Sequence, residues 1–515
     1  MKSTSASAIL RIRVLLGLVS FFAGVCLTLF AASGPQEHVP SLAAPLRGVD
    51  GAQVTPCGGA QQSWVARYNG PGNYTDDPVA IAVDGSGNVY VTGESSGQGA
   101  VDYATIKYNS DGEEQWVARY NGGNGNDRAN AVAVDASGNV YVTGESLGQG
   151  TGIDYATIKY NSDGQQQWVA RYNGPANSDD DVTAIAIDGS GNVYVTGTSS
   201  IDAASNFDYL TVKYNSAGQE QWVASYNGPG NALDVANGIA VDSSGNVYVT
   251  GESYGLYSAY DYATIKYNSA GQEQWIARYN GPANYDDVAT AIVVDGSANV
   301  YVTGYSYGVG DVGPDYATIK YNSAGQQQWV ARYNGGTRSD DYAKGIAIDS
   351  SGNVYVTGDS LGVGDLNPDY ATIKYDSAGQ QQWVARYDGP ANGLDSAAAI
   401  AVDSSGNVYV TGESAGQGTR DDFATVKYNS TGEEQWVVRY NGPANRDDQA
   451  NAIAVDVSGN VYVTGQSFDP NNGDDYVTIK YVQGAMPTPT PTATTTPKTT
   501  PRPRPTPRPR PTPPR

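Results

Sequence analysis

Between residues 61 and 482 the chain alternates short apolar runs with clusters of Gly, Asn, Asp and Ser, and it does so on a fixed period. The copy "NAVAVDASGNVYVTGESLGQGTGIDYATIKYNSDGQQQWVARYNG" contains four such runs: "AVAV", "NVYVTG", "DYATIKY" and "QQWVARY". Each is rich in Val, Ile, Tyr, Thr or Trp and is bounded by turn formers, the pattern of a short strand. No stretch within the copy carries a helical period. The period is marked by Trp64, Trp116, Trp168, Trp222, Trp275, Trp329, Trp383 and Trp436, spaced 52 to 54 residues apart. The stretch "SGNVYVTG" recurs at Ser86, Ser137, Ser190, Ser244, Ser351, Ser405 and Ser458, and once, from Ser297, as "SANVYVTG". Four strands per copy and this period predict the blades of a β-propeller, with strands A to D in each.

The ends give the count. The first element is a lone D strand, "QQSWVARY" (61–68), and the last copy stops after strand C, "DYVTIKY" (475–481). Joining the two completes an eighth blade and removes an exposed sheet edge. The predicted fold is therefore all-β, an eight-bladed propeller of four-stranded blades closed by its N-terminal strand. One blade cannot bury its own apolar faces, whereas a ring of similar blades can. With "NSDG" (109–112) as the C–D turn, Tyr108 is expected opposite Glu113, Lys107 opposite Glu114, Thr105 opposite Trp116 and Asp102 opposite Arg119. The charge pair returns as Asp154–Arg171, Asp261–Arg278, Asp315–Arg332, Asp369–Arg386 and Asp422–Arg439, and at the closure as Asp475–Arg67; copy three breaks it, with Ser225 facing Asp208. These Arg and Lys residues are read as braces of the blades, not as ligands.

The unit "AIAVDSSGNVYVTG…DYATIKYNSAGQQQWVARYNG" closely resembles the SBBP β-propeller repeat family of exported bacterial proteins, over roughly residues 61–482. Its first half is also similar to NHL-type repeats. The resemblance implies a propeller fold and export but no reaction, and the family's name implies seven blades where eight are counted here. "GQQQW" (164–168) is similar to the tryptophan-docking motif of eight-bladed quinoprotein dehydrogenases. The adjacent cysteines and cofactor-contacting residues of those enzymes have no counterpart in this chain.

Outside the repeats the composition changes. Lys2, Arg11 and Arg13 precede an apolar run from Val14 to Ala32, and small residues follow, the layout of a secretory signal or, uncleaved, a membrane anchor. The expected organisation is 1–33 signal or anchor, 34–60 linker, 61–484 propeller and 485–515 a Pro/Thr/Arg tail of polyproline-II character. Cleavage leaves Cys57 as the sole thiol, so no internal disulfide is expected. The tail holds six basic residues and no acid, while the body between residues 61 and 484 carries a net charge of −31. Such a body repels phosphate backbones, which argues against nucleic acid as a partner.

Chemistry is sparse. The only histidine is His38, ahead of the repeats, which removes His-assisted nucleophiles and His-ligated zinc from the ring. The "Asp-x-Ser-Gly-Asn" segments are read as hairpin turns, since they lack the dense alternating carboxylates of a calcium loop. The best clue is loop length. The A–B and C–D connections never vary, whereas from the Gly of "VTG" to the Asp that opens strand C the count runs 9, 10, 11, 10, 11, 11, 10, 10. In an up-and-down blade the B–C and D–A connections share one face. The D–A connections also gather acids: Asp76, Asp77, Asp127, Asp179, Asp180, Asp181, Asp234, Asp286, Asp287, Asp340, Asp341, Asp395, Asp447 and Asp448. From these Asp76, Asp77, Asp179, Asp180, Asp286, Asp287, Asp340, Asp341, Asp447 and Asp448 are taken as candidate ligand-binding residues, because loops on a rigid scaffold are where binding residues collect. The expectation is a secreted or cell-surface, non-catalytic binding or display module, a monomeric ring needing no cofactor. Its expected partner is an extracellular protein or glycan, with calcium a further candidate. The alternative is a propeller enzyme, either a quinoprotein-like oxidoreductase or a carboxylate-dependent hydrolase or lyase.

Overall fold

The computed structural model describes residues 59–484, except 98, 124, 201–206, 311–312, 337–339 and 365. The expected signal or anchor, most of the linker with His38 and Cys57, and the tail lie outside the described residues. Eight four-stranded antiparallel sheets follow one another in chain order. In blade 1 strand A is Asp76–Val83, B is Val89–Ser96, C is Val101–Tyr108 and D is Glu114–Tyr120. Blade 8 combines A (Asp448–Val455), B (Val461–Asp469) and C (Gly473–Gln483) with the N-terminal strand Ala60–Tyr68 as its D. The closing strands pair from Ala60↔Gln483 to Tyr68↔Tyr476. Arg67 reaches Asp475 at 3.9 Å, looser than the 2.9 Å of Arg119–Asp102 in blade 1.

The sequence explains the blades at three levels. Within a blade, Thr92 of B lies directly opposite Thr105 of C, and their buried hydroxyls meet at 2.9 Å. The pair recurs in all eight blades, for example Thr303 with Thr318 and Thr464 with Thr478. Between blades, the buried Tyr103 hydroxyl donates to the Ala156 carbonyl of the next blade at 3.1 Å. At the outer edge the indole of Trp116 donates to the Ser162 carbonyl in the next C–D turn at 3.1 Å. Lys107 donates to the same carbonyl at 3.0 Å and lies over the Tyr90 ring. Seven of the eight tryptophans, all but Trp436, also pack on the glycine of that turn. An added Cβ at Gly112, which has φ 83°, would lie 2.5 Å from the Trp64 ring, so the site demands glycine twice over.

The C–D register differs from the expected one. Tyr108 faces Glu114, Lys107 faces Trp116, and Ala104 faces Arg119. The turn sets the pairing one residue further on, and a bulge after Tyr108 leaves Gln115 unpaired and adds a second shift. Lys107 therefore has no Glu114 partner and braces the neighbouring blade instead. The Asp102–Arg119 pair survives because a two-residue offset keeps both side chains on one face, as diagonal neighbours. The equivalent pairs at Asp154, Asp261, Asp315, Asp369 and Asp422 close at 2.8 to 2.9 Å.

Candidate functional site

The variable face is built from the D–A turn outward. After "YNG" the chain folds so that the Asn73 amide donates to the Gly70 carbonyl, with Asn73 at φ 49°. Asn tolerates the left-handed region better than other non-glycine residues. The Gly70 amide donates to Asp76 at 2.6 Å, and the Ser96 amide donates to the same carboxylate at 2.9 Å. Asp76 thus ties the D–A turn to the start of the B–C connection. The Gly-to-Asp bond recurs at Asp127, Asp180, Asp234, Asp287, Asp341, Asp395 and Asp448. All of these carboxylates are buried. Burial raises Asp287 and Asp448 to about 6, against the pull of the Ser306 or Ser467 hydroxyl and the glycine amide.

The candidate acids therefore separate into two kinds. Asp76, Asp180, Asp287, Asp341 and Asp448 are internal braces of the turns. Asp179, Asp286 and Asp340 are exposed, and Asp447 is half-exposed and paired with Arg420 at 3.0 Å. Asp179 and Asp286 also accept the amides of Ile153 and Tyr260, which fastens each D–A turn to the preceding B–C loop. Asp77 sits on strand A opposite Glu94 and is raised to about 7 by burial, then by Glu94, Asp474 and Asp76.

Sequence reasoning passed over a ring of positions just inside these turns. The residue after each "VTG" is Glu94, Glu145, Thr198, Glu252, Tyr305, Asp359, Glu413 or Gln466. Its cross-strand partner on A is Asp77, Arg128, Asp181, Val235, Val288, Tyr342, Ser396 or Gln449. Neighbouring blades meet here: Arg128 reaches Glu94 at 2.5 Å, Tyr342 stacks edge-on against Tyr305 at 5.0 Å, and Lys344 holds Asp359 at 2.6 Å while donating to Ser396 at 2.8 Å. Burial raises Glu145, Glu252 and Glu413 to about 7, assisted by Asp181, Asp286 and Asp421 respectively. The signal was available in the sequence, as a freely changing residue immediately after an otherwise fixed octapeptide.

The loops also differ in what they expose. Of thirteen exposed large hydrophobic residues among those described, ten lie on the B–C/D–A face: Tyr74, Leu233, Tyr254, Leu256, Tyr257, Tyr285, Val309, Val363, Leu366 and Leu394. Nine of these run consecutively from Leu233 to Leu394, over blades 4 to 6 and the turn beyond. Tyr257 is 88% exposed and Tyr285 65%. The loops are knitted together, since Asn284 donates to the Tyr257 carbonyl at 3.1 Å, Tyr285 meets Tyr307 edge-on at 5.9 Å, and Tyr254 meets Tyr260 at 5.4 Å. Carboxylates are interleaved with the rings. Burial raises Tyr260, then Glu252 and Asp286, while Tyr307 feels Asp340 and Asp286 after burial. Tyr342 is pushed up to about 12 by burial and then by Asp340. The result is a tyrosine–carboxylate sector spread over the loops of three successive blades, 4 to 6.

The opposite face is committed to structure. In the A–B turn Asp84 accepts the amides of Ser86 and Asn88, the Asn88 side chain and the Tyr90 hydroxyl, all within 3.0 Å. The other seven A–B turns repeat this pattern. For Asp188, Asp242 and Asp349 burial works to raise the carboxyl, but these bonds outweigh it and hold it below its ordinary value. Elsewhere, Asp369, Asp388 and Asp395 bring carboxylate oxygens within 4.8 Å of one another. Asp388 stands where the other copies have Asn.

Taken together, these features define a class: a closed eight-bladed propeller whose differences between blades gather on one face. The chain belongs to the SBBP β-propeller repeat family, whose signature matches residues 64–99, 115–150, 167–202, 221–258, 328–367, 382–418 and 435–467. The unmatched copy is the one containing "SANVYVTG". The chain is similar in fold to Sqt1 from Chaetomium thermophilum, with TM-score 0.52 and 9% identity over 83% of this chain and 100% of that one. A second Sqt1 structure from that organism, bound to the N-terminus of ribosomal protein L10, gives TM-score 0.48 and 9% identity over 82% of this chain and 100% of that one. At this identity the likeness shows the fold alone. The regulatory protein FlaEY of Caulobacter vibrioides is 34% identical over 114 residues, 19% of this chain and 11% of that protein. The chain thus spans about a tenth of the length of that relative.

Proposed function

We propose that the chain is an exported, non-catalytic binding scaffold that receives a polypeptide partner on its B–C/D–A face, through the tyrosine–carboxylate sector of blades 4 to 6. The carrying observation is the concentration of exposed Tyr, Leu and Val on that sector, while the A–B and C–D turns of the other face are spent on bracing. Contiguous exposed apolar surface is a mark of an interaction site, and tyrosine supplies contact area at low entropic cost. Two of the best-formed cavities among the described residues hold about 40 and 180 Å³, below the usual size of a small-molecule pocket, which favours recognition across a surface. Export rests on the charged start, apolar core and small residues at 31–33.

A photo-crosslinker placed at Tyr285 or Leu366, and separately at Val457 on the other face, tests the reading in the native envelope. Polypeptide adducts from the first two positions and none from Val457 are expected. Adducts from Val457 alone, or from none of the three, overturn it. N-terminal sequencing of the native protein tests export, with a start near Gly34 expected and an intact Met1 on a soluble cytosolic product overturning it. Calcium is one arm of the same work. A rise in melting temperature beyond that of matched sodium chloride adds a cation to the ligands of this face.

A further inference from the structure

We propose that the sector on blades 4 to 6 takes a proline–arginine segment in the polyproline-II conformation, and that a second copy of this chain supplies it from residues 485–515. The inference rests on the sector being a binding face, as proposed above. Its first support is chemical. Residues 501–512 read "PRPRPTPRPRPT", one hexad written twice, with Arg502, Arg504, Arg508 and Arg510 each set between prolines. Proline fixes φ near the polyproline value, so such a segment loses little freedom when it is held. At three residues per turn and about 3.1 Å per residue, Arg502 and Arg508 fall on one side of the segment roughly 19 Å apart, and Arg504 and Arg510 fall on another.

The sector is the complement of that segment. Polyproline ligands dock on aromatic-lined grooves, where proline rings lie between aromatic side chains. Tyr254, Tyr257 and Tyr285 are exposed, and Tyr307 stands edge-on to Tyr285. Guanidinium groups stack on tyrosine faces and pair with carboxylates, and exposed Asp286 and Asp340 lie among these rings. Of the seven Asp in the six connections from 228–234 to 361–368, Asp234, Asp287 and Asp341 are buried turn braces and Asp311 and Asp365 lie outside the described residues, so Asp286 and Asp340 are the exposed acids among those described; the one basic residue is Arg338. Arg338 itself lies outside the described residues, and Lys344 on the inner ring is already held by Asp359. The basic tail and the acidic body are therefore complementary within one sequence.

The geometry points to a second copy as the donor. Strand C of blade 8 runs away from the B–C face, so Gly484 leaves the ring on the opposite face, and on blade 8 rather than blades 4 to 6. The first hexad begins seventeen residues after Gly484, about 53 Å of polyproline-II chain. To reach its own sector the tail would climb back along the eleven-residue strand Gly473–Gln483, about 36 Å, and then cross the ring. A neighbouring ring asks for neither. Tail on one face and sector on the other make a head-to-tail contact that does not close on itself, so association should run to open chains of rings.

Analytical ultracentrifugation of the mature full chain tests this with two variants. One carries Tyr257→Ser and Tyr285→Ser; the other carries Arg502→Ser, Arg504→Ser, Arg508→Ser and Arg510→Ser. The native chain should form a concentration-dependent ladder of oligomers that weakens at least tenfold between 50 and about 300 mM salt, as a charge-driven contact does. Each variant alone should be monomeric. An equimolar mixture should give 1:1 dimers and nothing larger, because only one tail and one sector remain intact. Both sets of substitutions are at exposed or tail positions, and unchanged circular dichroism confirms folding. A native chain that stays monomeric, oligomers that survive either set, or a mixture that stays monomeric overturns the proposal. If only the tyrosine variant dissociates, the tail is wrong but the sector stands as a binding face. Crosslinking from Tyr285 in the envelope judges that face independently.

Discussion

Ala298 has φ 61° at a turn position where the other seven copies carry glycine, as at Gly87 with φ 76°. Space is not the difficulty, since an added Cβ at Gly87 would meet nothing closer than 3.4 Å. The cost lies in the backbone, because the left-handed region disfavours any Cβ by about 1 kcal/mol or more. Ala298→Gly should therefore stabilise the ring by about 1 kcal/mol, less a few tenths for the greater freedom of glycine in the unfolded chain. Chemical denaturation of the two proteins side by side measures it, and an unchanged or lower midpoint refutes the strain. Asp388 is the second local exception. In the five loops of the same form the equivalent Asn69, Asn173, Asn227, Asn280 and Asn441 donate to the Asn four residues on at 2.7 to 2.9 Å, the place of Asn392 here. Asp388 cannot donate, and it adds to the burial that already raises Asp395. Asp388→Asn should raise stability by a few tenths to about 1 kcal/mol at neutral pH in the absence of divalent cations. A loss of stability under those conditions would show that the third carboxylate serves the fold.

At the scale of elements, the closure is the place where the repeat cannot copy itself. Seven tryptophans have a following C–D turn to donate to, the last being Trp383 with Ser430 at 3.2 Å. Trp436 has none, because strand C of blade 8 runs on to Gly484 and strand D arrives from the N-terminus. The site is filled differently. Trp436 is buried beside Ala60, and the Gln483 side chain accepts from Lys427 and donates to the Tyr409 hydroxyl and the Gly459 carbonyl at 2.6 Å each. Gln483 thus replaces the turn carbonyl for Lys427, whose equivalents donate to the Ser of the next C–D turn. Gln483→Ala should cost about 1 to 2 kcal/mol, more than a surface Gln such as Gln328, because it strands a partly buried ammonium. Deleting residues 1–70 should do far more, exposing strand C of blade 8 as a raw edge and driving aggregation; a soluble, normally melting truncation would refute the closure. The count and the closing strand were legible because tryptophan spacing and a surplus D strand are facts of order along the chain. The C–D register was not. A bulge inserts one residue without changing any turn residue, so "NSDG" suggests a pairing that Gln115 then shifts. The acids were legible only as a group. Whether a carboxylate braces a turn, like Asp287, or faces solvent, like Asp286, depends on one step of alternation at the start of strand A.

For the molecule as a whole, those buried acids give the ring an unusual response to pH. Asp287, Asp448, Asp181 and Asp475 are raised to about 6, and Asp77, Glu145, Glu252 and Glu413 to about 7, with burial the first cause in every case. An acid whose carboxyl is raised on folding holds its proton more tightly in the ring than in the unfolded chain. Between the ordinary carboxylate range and about 7, the native state therefore binds more protons than the unfolded one, and stability falls as pH rises through that window. Net charge acts in the same direction, because protonation relieves the self-repulsion of a strongly acidic body. Asp188, Asp242 and Asp349 work the other way, but only below their ordinary value, where their turn bonds are lost on protonation. The melting temperature should rise as pH is lowered from 8 to about 5.5 and fall again below about 4. Glu145→Gln and Glu252→Gln, made together, isolate the cause. They remove two of the groups raised to about 7 while leaving the Gly-to-Asp turn braces in place, so the slope of melting temperature between pH 8 and 6 should flatten. Scanning calorimetry across that range in constant ionic strength reads both effects. A melting temperature that stays flat between pH 8 and 6 would mean that the inner-ring carboxylates are solvated and free, and that its varied residues do not crowd one another across the blades.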